Sequence, residues 1–202
     1  MVATFSPKPL HYAYDALKGI SEKVLTWHHS KHYAGYVTKR NEIETELEKA
    51  DRTRANANWS AFGELKRRET FNASGQILHE IYFDNLGGDG RPDEALPVVK
   101  RLIKDFGSLE AWKADMKATA AASLGWAITC YDSTDGRIRN FLCDSHNFGA
   151  VWGAIPIIAL DVFEHAYHHD YGPDRPSYLE TFFGNLHWGR INERFGRTVP
   201  QA

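Results

Sequence analysis

Asp161-Val162-Phe163-Glu164-His165-Ala166-Tyr167 places a carboxylate and an imidazole four residues apart, directly after the aliphatic run Ala154 to Leu160. The aliphatic run reads as a short buried strand, and the residues after it read as helix. At helical spacing i and i+4 share a face, so Asp161 and His165 can grip one ion together. If the helix opens at Asp161, the pair flanks its first turn and still reaches a common point. The competing reading is a capped helix, with Asp161 as N-cap and His165 as a satisfied core residue. Short metal motifs look alike in both cases, and the rest of the chain has to decide.

Upstream of that stretch, Trp126 to Tyr131 and Ile138 to Cys143 read as a hairpin turned at Asp135-Gly136. A turn there opposes Cys130 to Phe141 and Cys143 to Ile128, which makes the two thiols offset neighbours. They read as small buried apolar residues, because two cysteines make no disulfide framework. Downstream, helices are predicted around Glu164–Tyr171 and Tyr178–Phe195.

The N-terminal half reads as all helix. Residues 1–20, with Pro7, Pro9 and Gly19, form an extended lead-in. Ser21 caps a helix running through His28, His32 and Tyr36 to about Lys49, with a charged second half that projects into solvent. After a polar break from Asp51 to Asn58, one helix spans about Ser60 to Glu69. Another opens at Asn72, carries His79, and stops at Gly87-Gly88. The glycine-rich Gly87-Gly88-Asp89-Gly90-Arg91-Pro92 is the best domain boundary. The fold class is therefore α+β: an N-terminal helical hairpin domain over 1–88, then a C-terminal mixed domain over 89–202 with a three-stranded antiparallel sheet and helices.

Composition is that of an ordinary globular protein, 43% hydrophobic and 25% charged. A net charge of −2 carries no nucleic-acid footprint. No apolar run approaches the roughly 20 residues of a membrane span. No secretory signal is visible at Met1 to Pro7, so the expected location is cytoplasmic. The unusual count is ten histidines, set beside six tryptophans and no cysteine motif. That balance favours a buried histidine and carboxylate metal site over a thiolate one. His28, His32 and Tyr36 lie at i, i+4 and i+8 on one helix face, while His29 points roughly 100° away. His79 lies on the second arm of the helical hairpin. Spacing leaves open whether His28, His32 or both bind metal.

His28-His29-Ser30-Lys31-His32-Tyr33-Ala34-Gly35-Tyr36-Val37 and the DVFEHAY run at Asp161 resemble the two signatures of the iron/manganese superoxide dismutase family. The Pro9 to Leu17 lead-in, Phe71-Asn72 followed by His79, Leu124-Gly125-Trp126, and Arg175 to Leu179 match in the same order, so the resemblance spans nearly the whole chain. It implies metal ligands His28, His79, Asp161 and His165 and one iron or manganese ion per subunit, with iron slightly favoured. It implies disproportionation of superoxide to O2 and hydrogen peroxide by alternate reduction and oxidation of that ion. Tyr36 and His32 then line the substrate channel, Trp126 walls the cavity, and Arg175 sits at the mouth with Lys31 nearby to attract the anion. Glu164 and Tyr167 imply a homodimer, with tetramers left open: the Glu reaches the partner's His165 and the Tyr the partner's His32.

The chain departs from the family pattern in three places. His146 stands where a Gln usually bonds the metal-bound solvent, and Gly75 occupies the alternative Gln position. Leu78-His79-Glu80 replaces Asn-His-Ser/Thr, and Phe163 replaces Trp. His168 and His169 read as surface residues. Two other functions compete: a non-catalytic metal-binding homologue, and a non-haem iron oxygenase with two histidines and one carboxylate.

Overall fold

The computed structural model describes residues 4–149 and 151–199; the outermost residues of the two expected domains, 1–3 and 200–202, lie outside that range, as does Ala150. Ser21 accepts from the Val24 N–H and opens α1 (Glu22–Trp27), which continues through a π-helical turn (His28–Tyr33) into α2 (Ala34–Lys49). The spacing predicts one helix here, and the axis is indeed continuous. The wider π turn inside it is the difference, and such turns concentrate where a helix carries functional groups.

α3 (Ala61–Asn85) is a single helix where the sequence suggests two. Asn72 reads as an N-cap, but its Nδ2 instead donates to the Arg68 carbonyl one turn back at 2.7 Å, so the ladder passes through it. The true cap is Ser60, accepting from Gly63 N–H at 3.1 Å. α2 and α3 pack against each other as the helical hairpin.

α4 (Pro97–Phe106) and α5 (Leu109–Ala122) lead into a sheet ordered β2-β1-β3, with β1 (Trp126–Asp132), β2 (Arg137–Cys143) and β3 (Ala154–Asp161) all antiparallel. The β1–β2 register is shifted by two from the expected one: Cys130 faces Arg139, and Cys143 faces Trp126. A four-residue loop, Ser133 to Gly136, makes the turn. Asp132 O accepts from Gly136 N–H at 2.9 Å, and the Asp132 carboxylate accepts from Thr134 N–H. Gly136 sits at φ +73, which only glycine adopts cheaply. A shift of two keeps every side chain on its face, so both cysteines stay buried, but they are not the offset neighbours expected.

Central β1 is covered on both faces. Trp112 of α5 donates to Thr129 Oγ1 at 3.0 Å on one side. Trp126, an odd number of residues away, faces the other side. β3 is an edge strand, and Pro156 lies at its register shift, where a missing N–H disrupts least.

The chain then makes a 3₁₀ turn (Glu164–Ala166), α6 (His168–Tyr171), α7 (Arg175–Gly184) and α8 (Trp188–Thr198). The last predicted helix is thus broken at Asn185–His187. There the backbone leaves the helix to bond the glycine linker: Gly88 N–H to Asn185 O, Gly90 N–H to Leu186 O, His187 N–H to Asn85 O. A Cβ on Gly88 would come within 2.3 Å of the Leu186 carbonyl, so the linker is glycine because another segment lies flat against it.

Candidate metal centre

Four side chains from four segments meet behind β3. His28 comes from the π turn, His79 from the C-terminal half of α3, Asp161 from the end of β3, and His165 from the 3₁₀ turn. One ligand atom of each lies within 4.8 Å of all the others. Asp161 Oδ2 is the focus, 3.1 Å from His28 Nε2, 3.2 Å from His165 Nε2 and 3.6 Å from His79 Nε2. Asp161 and His165 are not a helical i, i+4 pair, and Asp161 is not an N-cap. They bracket the strand exit, and Asp161 Oδ1 accepts from the Phe163 N–H at 2.9 Å to hold the carboxylate still.

The orientation of His79 decides what the cluster is. Its Nδ1–H donates to the Gly75 carbonyl at 2.6 Å. In the neutral ring Nε2 is then a bare lone pair, and it is buried with no hydrogen-bond partner among the described residues. A lone pair aimed at a carboxylate oxygen costs free energy unless a cation lies between them. Burial, followed by the neighbouring His28, keeps the His79 imidazole well below the usual range, hence neutral. Burial likewise lowers His28 to about 4, against the pull of its bond to Asp161. Burial opposes the charge on Asp161, but His165 and His28 outweigh it and hold the carboxyl well below the usual carboxylate range. Neutral His28 and His79 beside an ionised carboxylate fit a divalent or trivalent transition metal, with no soft ligand required.

Around the cage lie the other residues that the sequence singles out. His32 stacks on His165 at 4.1 Å, half-buried. The Tyr36 ring lies 5.1 Å from His79 and 4.5 Å from His146. Burial, then Asp161, raises the Tyr36 phenol to about 12, so it carries its proton. Trp126 is fully buried against His79 at 5.0 Å. His146 is 3% exposed, not a surface strand-end residue. Trp126 Nε1–H donates to His146 Nδ1 at 3.0 Å. An indole N–H only donates, so the neutral His146 ring must hold its proton on Nε2. Gly75 explains the room for it: a Cβ there would sit 3.0 Å from the Tyr36 ring and 3.2 Å from His146. Phe163 stacks on His165 at 5.5 Å and lies 5.1 Å from His146.

Further out, Arg175 donates to Ser123 O at 2.9 Å and Tyr167 Oη at 3.2 Å, so much of its guanidinium is engaged within the chain. Tyr167 is buried and stacked on Tyr178, whereas Glu164, Lys31, His168 and His169 are exposed. Two residues that the sequence reading named without a role in the site acquire one. His29 is a structural peg, accepting from Tyr14 at 2.8 Å and donating to Lys8 O at 2.8 Å. Phe71 packs on His146 at 4.6 Å. Only the departure at Gly75 hinted at such packing.

Comparison with known proteins agrees with this geometry at both ends of the chain. Residues 4–87 match the model of the iron/manganese superoxide dismutase alpha-hairpin domain, and residues 94–194 that of the C-terminal domain. A protein of Haloferax volcanii named manganese superoxide dismutase 2 is 44% identical over 192 residues, covering 95% of each chain. One of Aquifex aeolicus, named an iron superoxide dismutase, is 45% identical over 188 residues, covering 91% of this chain and 87% of its own. Another named iron superoxide dismutase, from Cupriavidus metallidurans, is 37% identical over 198 residues, 96% of this chain and 98% of its own.

Proposed function

Since the chain belongs to the iron/manganese superoxide dismutase family, we propose that it converts two superoxide anions and two protons to O2 and hydrogen peroxide at the cage of His28, His79, Asp161 and His165. The observation that carries this is the orphaned, buried Nε2 of His79 aimed at Asp161. An iron or manganese ion bound there supplies the one-electron couple. Relatives are named for each metal; we favour iron, on His146 standing at the usual Gln position.

The chain's own residues supply the rest. Tyr36 holds a proton at its Oη and His146 one at Nε2, and these are the donors beside the cage. Trp126, Phe163 and Phe71 wall the space and exclude bulk water. His32 lines the entrance. Arg175 and Lys31 place positive charge near it, which a chain of net −2 needs in order to attract an anion. This crowding by rings argues against the oxygenase alternative, which needs space for an organic substrate. The uninterrupted ligand set argues against a non-catalytic homologue.

The site is completed in a homodimer. Glu164, exposed beside His165, reaches the partner's His165, and Tyr167 reaches the partner's His32. Tyr167 accepts from Arg175, which leaves the phenol proton free to be donated. Leu124, 68% exposed, and Phe148, 69% exposed, are large apolar residues that such an interface would cover. We set the boundary between the halves at 88/89 and the location in the cytoplasm; no helix among the described residues is long and apolar enough to cross a membrane.

The test is separate reconstitution with iron and with manganese, metal analysis, and a dismutation assay. Activity is expected with at least one metal near one ion per subunit. Full occupancy without dismutation for either would overturn the assignment. Sedimentation of the same samples is expected to show a dimer that Glu164→Ala weakens; a monomeric active enzyme would remove the interface roles.

A further inference from the structure

We propose that Glu80 is a positioning residue that clamps the two histidine-bearing helices, so that His28 and His79 stand ready for the ion; this rests on the metal reading above. Glu80 follows His79 directly and faces back towards the first helix. Its Oε1 accepts from Tyr33 Oη at 3.1 Å and from Gln76 Nε2 at 2.9 Å, while Oε2 pairs with the Lys8 ammonium. Tyr33 closes the π turn that begins at His28 and is 1% exposed. Its ring lies nearly parallel to His79, 6.4 Å away with a 22° tilt.

The network continues on both sides. Gln76 Oε1 accepts from Arg40 of α2 at 3.4 Å. Gln76 also follows Gly75, whose carbonyl fixes His79 Nδ1. The Lys8 backbone is held twice by the π turn, its N–H by Tyr33 Oη at 2.9 Å and its carbonyl by His29 Nε2 at 2.8 Å. The N-terminal segment, the π turn and α3 are therefore joined at the level of the cage, behind the ligands.

The exposed Lys8 ammonium contributes little, because its side chain is 71% exposed and solvent screens it. The shielded half of Glu80 matters. Removing the carboxylate leaves the Tyr33 hydroxyl proton and the Gln76 amide without their acceptor in a partly buried site. Groups behind the ligands lower metal affinity when they are removed, and Glu80 reaches the ligands one step further out, through the Tyr33 ring and the Gln76 turn.

The experiment is release of manganese from the loaded protein into excess chelator, alongside thermal melting of the metal-free protein. Glu80→Ala and Tyr33→Phe are each expected to speed release about 10-fold, the low end for groups behind a ligand, with metal-free melting lowered by no more than a few degrees. Glu80→Gln keeps an acceptor for Tyr33 and is expected to return release close to the wild-type rate. Lys8→Ala, which leaves the backbone bonds in place, is expected to release as wild type does. Wild-type release from both Glu80→Ala and Tyr33→Phe would overturn the clamp. So would equally fast release from Glu80→Gln and Glu80→Ala with matching falls in metal-free melting, the mark of a general packing defect. A wild-type protein that takes up neither manganese nor iron would overturn the metal reading and the clamp together.

Discussion

The two ends of the α2/α3 hairpin are built from the same pair of helices and obey different rules. At the cage end side chains are buried, and most of their polar atoms have named partners: His79 to Gly75, Gln76 to Glu80, Glu80 to Tyr33. At the far end the helices carry exposed pairs such as Lys39–Glu42, Glu46–Lys49 and Glu64–Arg67, and Trp59 stands 68% exposed. Both ends are rich in charge and hydrogen bonds. Burial separates them: a lost partner at the cage end leaves a desolvated group, whereas at the tip water replaces it.

The contrast is most vulnerable at its deepest point. Asp161→Asn keeps the shape and removes the charge that balances the cation, and it is expected to lower metal affinity by more than about 100-fold, beyond the effect of an outer-layer group. Metal titration followed by dismutation measures this; retained affinity would mean that the carboxylate is not a ligand. Next in size is a matched pair of glycine substitutions. Gly75→Ala pushes a Cβ to 3.0 Å from Tyr36, where overpacking costs about 1–3 kcal/mol and outweighs about 1 kcal/mol of helix propensity. Melting temperature and turnover are expected to fall together. Gly35→Ala meets nothing within 4 Å and is expected to raise stability by about 0.5–1 kcal/mol without touching turnover. The same sign for both would show that the cage end is looser than its contacts imply. The smallest effect belongs to the tip: Glu46→Ala removes an exposed pair with Lys49 and is expected to move melting by less than about 2 °C. A larger shift would mean that the tip is covered in the assembled protein.

Legibility followed the same line. Periodicity within one element was readable: the helix bearing His28, the apolar run of β3, the glycine stop at Gly87-Gly88. Breaks and registers differ from the expected ones where individual side-chain or backbone bonds decide them, some local and some from a distant segment. α3 runs through Asn72 because that side chain finds a carbonyl four residues back, and the last helix breaks at Asn185–His187 because the linker at Gly88 and Gly90 takes its backbone bonds. The β-hairpin register moved by two because the Asp132 carboxylate organises a four-residue loop.

Candidate donor types are written in the chain alone, imidazoles and a carboxylate on a helical hairpin and at the exit of an apolar strand with no cysteine motif, whereas the choice of His28 over His32 came from the family resemblance. Spacing and chemistry are local properties, and folding does not alter them. Which atoms face inward was settled in three dimensions. His79 offers Nε2 because Gly75 holds its Nδ1, and His146 carries its proton on Nε2 because Trp126, twenty residues earlier, donates to Nδ1. His29 became a peg because Lys8, 21 residues earlier, packs alongside, and Glu80 a clamp because Tyr33, 47 residues earlier, donates to it. Partners that far apart in the chain leave no periodic trace, since only burial brings them together and makes their pairing obligatory.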